Sequence, residues 1–167
     1  MPWVAPMLRD CSAMTDVLTR EQRRTCMSHI RGRDTRPELA VRSALHRAGY
    51  RFRLHDKKLP GRPDIVLPKY RTALLVHGCF WHRHPGCRFA TTPATRPEFW
   101  SQKFAANVRR DAEVREQLEA QGWSVAVIWE CETRDAEVLR EAIHRILPVR
   151  ALEPVGNRPN RPVGSGS

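Results

Sequence analysis

The sequence predicts an α/β fold of the mixed α+β kind, with a central mixed β-sheet flanked by helices. The first observation is the order of the predicted elements, which is helix, helix, strands, long helix, strand, helix. The second is a set of short apolar runs, at 65–67, 72–76 and 123–129, whose lengths suit strands. The third is the length of 167 residues, which suits one domain with its own core.

The charge balance indicates a polyanionic partner. Lysine and arginine number 29 against 18 acidic residues, for a formal net charge of +11. Folding does not require this excess, but nucleic-acid binding gains from it, because each neutralised phosphate releases condensed counterions. Arginine outnumbers lysine, which favours contacts with phosphate oxygens and guanine edges. Nucleic acid is therefore the first partner to consider, and an anionic membrane surface is the second.

Cysteine use and hydropathy indicate a cytoplasmic protein that does not enter membranes. Five cysteines at irregular spacing do not suit a disulfide framework, so metal binding is the better use for them. No apolar run approaches the length of a membrane span. Residues 1–8 form too short and too weakly basic a segment for a secretory signal.

The N-terminal part is predicted to be basic and to begin with a mobile leader. Residues 1–14 have no helical or strand period and form this leader, although Met14 is an alternative start. A basic helix is predicted from Thr19 to Ile30. Ten arginines lie between positions 20 and 53, namely Arg20, Arg23, Arg24, Arg31, Arg33, Arg36, Arg42, Arg47, Arg51 and Arg53. Few acids oppose them, which favours a phosphate-tracking surface over a merely solvated face.

A second helix is predicted to begin at Thr35. Thr35 and Glu38 have the spacing of a capping box, Pro37 lies in the first turn, and Gly49 ends the helix. Glu38 therefore has a sufficient structural role as a capping residue. A catalytic role for Glu38 would come in addition to that role.

The next segment is predicted to form short strands. One strand covers 50–54, and Asp64 directly precedes another at 65–67. A turn leads into the strand 72–76, which His77 follows. If the strands 65–67 and 72–76 pair as a hairpin, Asp64 and His77 lie at neighbouring strand ends.

A long helix is predicted from a Thr95 cap to about Gln121. Its apolar side is predicted to contain Trp100, Phe104, Val108 and Leu118. Asp111 falls on this inner side, and Asn107 lies one turn before it on the same face. A carboxylate in that position needs a partner or a function, because an unpaired buried charge is costly.

The C-terminal part is predicted to supply one more strand and one more helix. The run 123–129 reads as a strand buried on both faces, with Cys131 soon after it. An amphipathic helix is predicted over 134–147. Residues 148–167 are rich in Pro, Gly, Arg, Asn and Ser and are predicted to be a disordered tail.

The segment 76–87 concentrates residues that can bind metal, transfer protons or stack. It reads Val-His-Gly-Cys-Phe-Trp-His-Arg-His-Pro-Gly-Cys. Together with Cys131, which is distant in the sequence, the segment supplies a Cys3His set of Cys79, His84, Cys87 and Cys131. Closed structural zinc sites have this donor set. The fourth ligand is His84 or His82. The choice of His84 leaves His82 and His77 for proton transfer.

Carboxylates and histidines near this segment suggest metal-assisted phosphodiester hydrolysis. Asp64 is a candidate ligand for Mg²⁺, which needs few protein ligands when substrate phosphate supplies others. His77 and His82 are candidates to activate water and to neutralise charge that develops on phosphorus. Asp111 is a candidate to orient one imidazole.

Aromatic residues of the same segment suggest a wedge for DNA. Phe80 and Trp81 are adjacent, and in a tethered loop both can project together and insert between base pairs. Trp100 is a candidate third member. Core packing is the better interpretation of Trp123 and Trp129.

Several motifs occur in a fixed order, namely Leu-Pro-Gly-Arg-Pro-Asp (59–64), His-Gly-Cys-Phe-Trp-His (77–82), Pro-Ala-Thr-Arg with Glu-Phe-Trp (93–100), Asn-Val-Arg-Arg-Asp (107–111) and Trp-Glu-Cys (129–131). Together they resemble the very-short-patch repair (Vsr) DNA mismatch endonucleases over residues 15–147. The resemblance implies a restriction-endonuclease-like core with a structural zinc site. It also implies a Mg²⁺-dependent nick 5′ to the thymine of a T:G mismatch that arises from 5-methylcytosine deamination.

The resemblance also implies a role for each matching residue. The implied catalytic residues are Asp64, His77, His82, Asp111 and, as an auxiliary acid, Glu38. The implied Mg²⁺ ligands are Asp64 and the backbone carbonyl of Val76. Val76 stands where related nucleases carry a second carboxylate. The implied Zn²⁺ ligands are Cys79, His84, Cys87 and Cys131. The implied DNA-binding residues are Phe80, Trp81, Trp100 and Asn107. The implied partner is double-stranded DNA with a T:G mismatch, bound by a monomer in the cytoplasm at the nucleoid.

Two other functions fit parts of the sequence. A zinc-stabilised DNA-binding module without chemistry would explain the cysteines and the charge, but it has no reason to hold Asp64 with His77 and His82. A ββα-metal (HNH-type) nuclease fits less well, because Asp64 lies on a strand before the histidine loop.

Overall fold

The structure is a computed structural model that describes Thr19, Glu21, Thr25 and residues 33–147. The predicted leader 1–14 and the predicted tail 148–167 lie outside the described residues. The predicted helix from Thr19 to Ile30 also lies outside them, apart from the residues just named. Within the described part of the chain, no helix is both long and apolar enough to cross a membrane.

Helix α1 (Arg36–Arg47) begins where the sequence predicts it. The Thr35 side chain accepts a hydrogen bond from the Glu38 N–H, and the Glu38 carboxylate accepts one from the Thr35 N–H. Loss of such a cap typically costs about 1 kcal/mol. The helix ends before Gly49, whose φ of +76° is a conformation that glycine adopts without strain.

Four strands form one mixed sheet in the order β1 (Arg53–Leu54), β2 (Ile65–Leu67), β3 (Thr72–His77) and β4 (Ser124–Trp129). The first two pairings are antiparallel, whereas β3 and β4 are parallel. A parallel pair needs a long crossover, which loop 78–96 and the long helix α2 (Pro97–Ala120) supply here. The mixed sheet flanked by helices is therefore confirmed.

The two faces of β3 have different surroundings. Leu74 belongs to a buried core together with side chains of α1 and of the last helix, α3 (Ala136–Ile146). Successive residues of a strand point to opposite faces. Val76 therefore faces the same way as Leu74, whereas His77 faces the side on which α2 lies. This alternation divides the candidate site into two sides.

Two strand predictions were wrong in part. The first strand covers only Arg53–Leu54, because Tyr50 is buried in the core with its N–H bonded to the Leu45 carbonyl. The run 123–129 is not buried on both faces, since its burial ranges from exposed at Ser124 to full only at Ile128. The reason is that β4 is an edge strand of the described sheet, paired with β3 alone.

Helix α2 differs from its prediction in its cap and in its inner face. Thr95 does not cap it, because Pro97 is the first helical residue and Arg96 is the N-cap, with a φ of +57° and no side-chain cap. Val108 is 46% exposed and does not face the core. The inner stripe instead runs from Phe104 through Asn107 and Asp111, whose side chains contact loop 78–96.

Helix α3 begins two residues later than the predicted 134. A 3-10 turn, Glu130–Thr133, comes first. The Asp135 carboxylate then caps α3 by accepting hydrogen bonds from the N–H groups of Glu137 and Val138. Aspartate is among the strongest capping residues, so it fixes the start of the helix.

Candidate active site

The candidate residues gather at one end of the sheet. β3 and β4 run parallel and end together, with His77 opposite Trp129. Loop 78–96 leaves β3 at this end. Asp64 directly precedes β2, and because β2 is antiparallel to β3, its beginning lies near the end of β3.

Three cysteines and one histidine form a compact group. The ligand atoms of Cys79, His84, Cys87 and Cys131 all lie within 4.8 Å of one another. The Nδ1 atom of His84 is 3.7 Å from the Sγ of Cys79 and 3.4 Å from the Sγ of Cys131. The structure thus brings together the residues that the sequence singled out, and it places His84 rather than His82 among the cysteines.

Local hydrogen bonds and one stacking contact shape this cysteine group. The His84 N–H donates to the Cys79 carbonyl, and the Cys87 N–H donates to the His84 carbonyl. The His84 ring stacks on Trp129 at 4.2 Å and 9°, which fixes its orientation. Burial raises the pKa of the Cys79 thiol to about 12, so a bound cation would be needed to hold its thiolate at neutral pH. This donor set fits a closed tetrahedral zinc site.

His77 and His82 form a stacked pair that Asp111 anchors. The two rings are 3.9 Å apart and inclined by 13°, and the His82 Nδ1 lies 2.6 Å from the Asp111 Oδ2. An ionised carboxylate only accepts hydrogen bonds, so Nδ1 carries a proton and Nε2 is the atom left for chemistry. Burial, and next the charge on His82, lower the pKa of His77 to about 4. At neutral pH His77 is therefore neutral.

Asp64 is fixed by the backbone of β3. Its Oδ2 accepts a hydrogen bond of 2.8 Å from the Val76 N–H. The β2–β3 pairing ends at Ile65 and Leu74, so the Val76 N–H has no backbone partner in β2. The Asp64 side chain accepts its hydrogen bond instead. The N–H and C=O of a strand residue point to the same edge, and the Val76 carbonyl therefore lies on the Asp64 side. Burial raises the pKa of Asp64.

The oxygens on this side fit a hard cation such as Mg²⁺. A carboxylate and a backbone carbonyl are ligands that Mg²⁺ takes, with water and phosphate completing its octahedron. Within the described residues, no group of three or more ligating side chains within 4.8 Å contains Asp64. The side chains of His77, His82 and Asp111 do form such a group by themselves.

Glu38 is buried in a network of hydrogen bonds next to Asp64. It is 4% exposed, and its carboxylate accepts from the Asp34 and Thr35 N–H groups and, at 2.7 Å, from the Arg42 guanidinium. The capping role that the sequence gives to Glu38 is confirmed. The ligand atoms of Asp34, Glu38 and His55 also lie within 4.8 Å of one another, but Arg42 already supplies a positive charge there.

The prediction that Arg42 belongs to a phosphate-tracking surface is wrong. Its side chain is 11% exposed and forms ion pairs with Asp34 and Glu38, because a buried carboxylate at Glu38 needs a cation one helical turn away. The other arginines of the predicted surface that the structure describes are exposed, namely Arg33, Arg36, Arg47, Arg51 and Arg53.

The predicted wedge residues form one aromatic cluster. The ring centroid of Phe80 lies 5.0 Å from that of Trp81 and 5.5 Å from that of Trp100. Phe104 is buried beside Phe80 at 5.1 Å. Phe99 lies 5.4 Å from Trp100 and is 56% exposed. The cluster thus has a buried base and an accessible edge, and its edge-to-face contacts contribute about 0.5–1.5 kcal/mol each.

Asn107 and Arg83 support the loop that carries this cluster. The Asn107 side-chain amide donates to the Trp81 carbonyl at 3.0 Å. Arg83 donates to the Thr91 carbonyl at 2.8 Å, and its guanidinium lies 4.6 Å from the Phe104 ring centroid. Asn107 was predicted to contact DNA, and in the protein alone its amide holds the loop backbone.

Sequence reasoning missed His55, Phe99 and Arg83. The signal for His55 was present, because pairing the predicted strands 50–54 and 65–67 places residue 55 opposite residue 64. Phe99 lies in a motif that was singled out, but its neighbour Trp100 received the role. Nothing in the local sequence indicates the contacts of Arg83.

Comparison with known proteins identifies relatives across most of the chain. Residues 15–88 match the family model described as DNA mismatch endonuclease Vsr. The type II nicking enzyme V.XorIIP of Xanthomonas oryzae pv. oryzae is 53% identical over 134 residues, which are 80% of this chain and 98% of that protein. The type II nicking enzyme V.NmeAIP of Neisseria meningitidis is 40% identical over 134 residues, 80% of this chain and 95% of that protein. The DNA mismatch endonuclease Vsr of Escherichia coli is 43% identical over 128 residues, 77% of this chain and 81% of that protein.

Proposed function

The chain belongs to the Vsr family of DNA mismatch endonucleases, and from that premise we propose that it nicks DNA 5′ to the thymine of a T:G mismatch left by deamination of 5-methylcytosine. Such a nick would initiate very short patch repair. The observation that carries the proposal is the stacked pair His77 and His82, whose His82 ring is bound to Asp111 at 2.6 Å. Val76, the residue before His77 in β3, binds Asp64 through its N–H. A module that only binds DNA has no need of this arrangement.

The proposed cofactors are a catalytic Mg²⁺ and a structural Zn²⁺. Asp64 and the Val76 carbonyl would hold Mg²⁺, which when bound supplies charge for the phosphoryl oxygens and lowers the pKa of water. Cys79, His84, Cys87 and Cys131 would hold Zn²⁺ and tie the loop to the end of β4.

The histidines would carry the proton chemistry. His82 offers Nε2 to a proton from the attacking water, and Asp111 stabilises the imidazolium that results. His77 stays neutral because burial lowers its pKa to about 4, so the proton taken from water remains on His82. Glu38, the proposed auxiliary acid, holds the start of α1 beside Asp64 through its cap.

The aromatic cluster and the exposed arginines would bind the mismatched duplex. Phe80, Trp81 and Trp100 present an edge that can stack on bases and hold the duplex open. The loop backbone behind them is held by the Asn107 amide. The exposed arginines of α1 and β1 would contact phosphates and position the monomer on the duplex.

A nicking assay tests the proposed function. The full chain is incubated with T:G, T:A and C:G duplexes, with Mg²⁺ or with a chelator. We expect a nick 5′ to the thymine of the T:G duplex only, and only with Mg²⁺. Asp64→Ala should keep binding to the T:G duplex and lose the nick. Wild-type protein that binds the mismatch without nicking under any condition would instead identify a DNA-binding module.

Metal analysis tests the zinc assignment. The wild-type protein should contain about one zinc per chain. Cys131→Ser should lose the ion and about 4 kcal/mol of stability, the contribution of a ligand present at a thousand times its dissociation constant. Cys26→Ser, which changes a cysteine that the proposed ligand set does not include, is the matched control. A wild-type protein that is free of zinc and fully folded contradicts the assignment.

A further inference from the structure

Gly61 lies in the motif Leu-Pro-Gly-Arg-Pro-Asp (59–64), of which only the last residue has received a role so far. It is the third residue of a β-turn, in which the Arg62 N–H donates to the Leu59 carbonyl at 3.2 Å. Pro followed by Gly is the usual sequence of a type II turn, whose third residue has a positive φ. The φ of Gly61 is +67°, a conformation that glycine adopts without strain.

The space beside Gly61 is closed by Val114 of α2. A β-carbon at position 61 would overlap the Val114 Cγ1 and would lie 2.8 Å from its Cγ2, whereas carbon atoms pack at about 3.5–4.0 Å. Gly86 has nearly the same φ, +68°, yet a β-carbon there would meet no atom of the described residues within 4 Å. The backbone of the turn is therefore seated directly on the Val114 methyl groups.

Core packing does not account for this close fit. Gly61 is exposed and Val114 is half-buried, and neither belongs to the buried cluster that the sheet forms with α1 and α3. A contact at the surface removes little apolar area from water, so it contributes little to folding. Its location is what distinguishes it, since it joins the segment that leads into Asp64 to the helix that carries Asp111.

Both partners of the contact are rigidly linked to the candidate site. Gly61 precedes Asp64 by three residues, and the segment between them includes Pro63, which is fully buried and has a fixed φ. Val114 follows Asp111 by three residues in α2, so the two lie on one face of the helix. A shift of the turn against α2 would therefore move Asp64 relative to Asp111.

The contact between Gly61 and Val114 closes a ring of contacts that passes through both sides of the site. Strand β3 already joins the two sides, because it binds the carboxylate through one residue and supplies a stacked histidine as the next. The ring runs in order through Asp64, Val76, His77, His82 and Asp111. A closed ring fixes the spacing of reacting groups better than an open series, because each contact limits the movement that the others allow.

We propose that Gly61 and Val114 are positioning residues whose contact sets the spacing between Asp64 and the pair of His82 and Asp111. The inference rests on the proposed function, because this spacing matters only if the Asp64 cation and the His82 proton acceptor act on one phosphate. Reaction rates are sensitive to such spacing, since a displacement of about 1 Å can reduce a rate about 100-fold.

The contact itself is tested first, in the metal-free full chain. A nuclear Overhauser effect is expected between the Gly61 Hα protons and the Val114 methyl protons, because the backbone of the turn lies against those methyl groups. The absence of this effect overturns the proposal. The measurement does not depend on any activity.

Val114→Ala tests the positioning role, because it removes the two methyl groups and preserves the helix. The single-turnover nicking rate on the T:G duplex should fall about tenfold, as expected for a displacement of less than 1 Å, while the affinity for the duplex stays that of the wild type. Val114→Thr keeps the branched side chain and should keep the rate. Val108→Ala changes an exposed valine of the same helix, and as the matched control it should also keep the rate.

Each side of the site should stay intact in Val114→Ala. The proton between the His82 Nδ1 and the Asp111 carboxylate should keep its low-field NMR signal. Mn²⁺ binding to the T:G complex, followed by electron paramagnetic resonance, should keep its affinity. Loss of either signal together with the rate overturns the proposal, because the substitution would then have damaged one side rather than the spacing between the two sides.

An exchange of bulk between the two positions gives a sharper test. Gly61→Ala alone should reduce the rate about 100-fold, because its β-carbon forces the turn away from α2. Combined with Val114→Ala, which removes both methyl groups, it should nick faster than Gly61→Ala alone. Gly86→Ala introduces the same φ strain in open space, so its combination with Val114→Ala should be no faster than Gly86→Ala alone.

Two contrary outcomes have different meanings. If the wild type nicks with Mg²⁺, but Val114→Ala nicks at the same rate or fails to improve the rate of Gly61→Ala, the positioning assignment alone is overturned. If the wild type makes no nick, the proposed function fails, and the inference fails with it.

Discussion

Val76 and His77 are neighbours in β3, yet they contact two different sides of the site. The Val76 N–H binds the Asp64 carboxylate, and the His77 ring stacks on His82. The carboxylate side contains Asp64 and its network of Glu38, Arg42 and His55, in which hydrogen bonds hold fixed charges. The histidine side contains His77, His82 and Asp111, where a short contact of 2.6 Å and a stacked ring arrange a transferable proton. We therefore propose that consecutive residues of one strand present a cation site and a proton site.

The two sides also differ in what supports them. The carboxylate side depends on the cap of α1 and on the hairpin of β2 and β3, which are close in sequence. The histidine side depends on loop 78–96, the cysteine group and Asp111 of α2. Substitutions can therefore disturb one side while the other keeps its geometry.

Asp64→Asn should have the largest effect. Loss of the carboxylate removes the cation and with it several kcal/mol of charge stabilisation, so the single-turnover rate on the T:G duplex should fall about 10⁴-fold. Binding of the duplex should persist. Asp56→Asn is the matched control, because its Oδ1 can still accept from the Lys58 N–H. If Asp64→Asn leaves the nicking rate unchanged, the carboxylate side has no role in catalysis.

His82→Ala should reduce the rate about 10³-fold, within the range for acid–base groups. The cause is loss of the proton acceptor at Nε2, with Asp64 and Val76 left in place. The single-turnover nicking rate at saturating Mg²⁺ measures it, and His144→Ala, an exposed histidine of α3, is the control. Full activity of His82→Ala would leave the histidine side a structural role only.

Asp111→Asn should reduce the rate about 10- to 100-fold, as expected for a group that acts through a histidine. Its combination with His82→Ala should cost no more than His82→Ala alone, because Asp111 acts through that ring. The same single-turnover assay applied to the double variant measures the coupling. Losses that multiply in the double variant would contradict the dependence of Asp111 on His82.

Trp81→Ala should have the smallest effect on the chemistry and should act on mismatch recognition. The preference for T:G over T:A duplex, measured by equilibrium binding, should fall about tenfold, since stacking on one base contributes about 1–3 kcal/mol. Trp123→Ala, a tryptophan beside β4 and away from the cluster, is the control. If Trp81→Ala loses equal binding affinity for the T:G and T:A duplexes, Trp81 has a packing role only.

Local signals predicted much of the fold. The capping box at Thr35 and the hairpin of β2 and β3 follow from spacings within a few residues, and the structure confirms both. The exposure of Val108, the edge position of β4 and the inward turn of Arg42 depend on partners far away in the sequence. Periodicity and composition carry no information about those partners.

The same limit applies to the candidate site. The sequence placed the cysteines, the histidines and Asp64 together, but it left open whether His82 or His84 joins the cysteines. Distant contacts decide the placement, because Trp129 stacks on His84 and Asp111 binds His82. His55 escaped notice because its contacts need the pairing of β1 with β2.

The division between a cation side and a proton side is tested most directly by Mn²⁺ binding to the T:G complex of two variants. His77, His82 and Asp111 could themselves hold an ion, since their ligand atoms lie within 4.8 Å, so the variants discriminate. We expect Asp64→Asn to lose the Mn²⁺ signal, whereas His82→Ala should keep it and still fail to nick. Loss of the signal in His82→Ala with retention in Asp64→Asn would contradict the division.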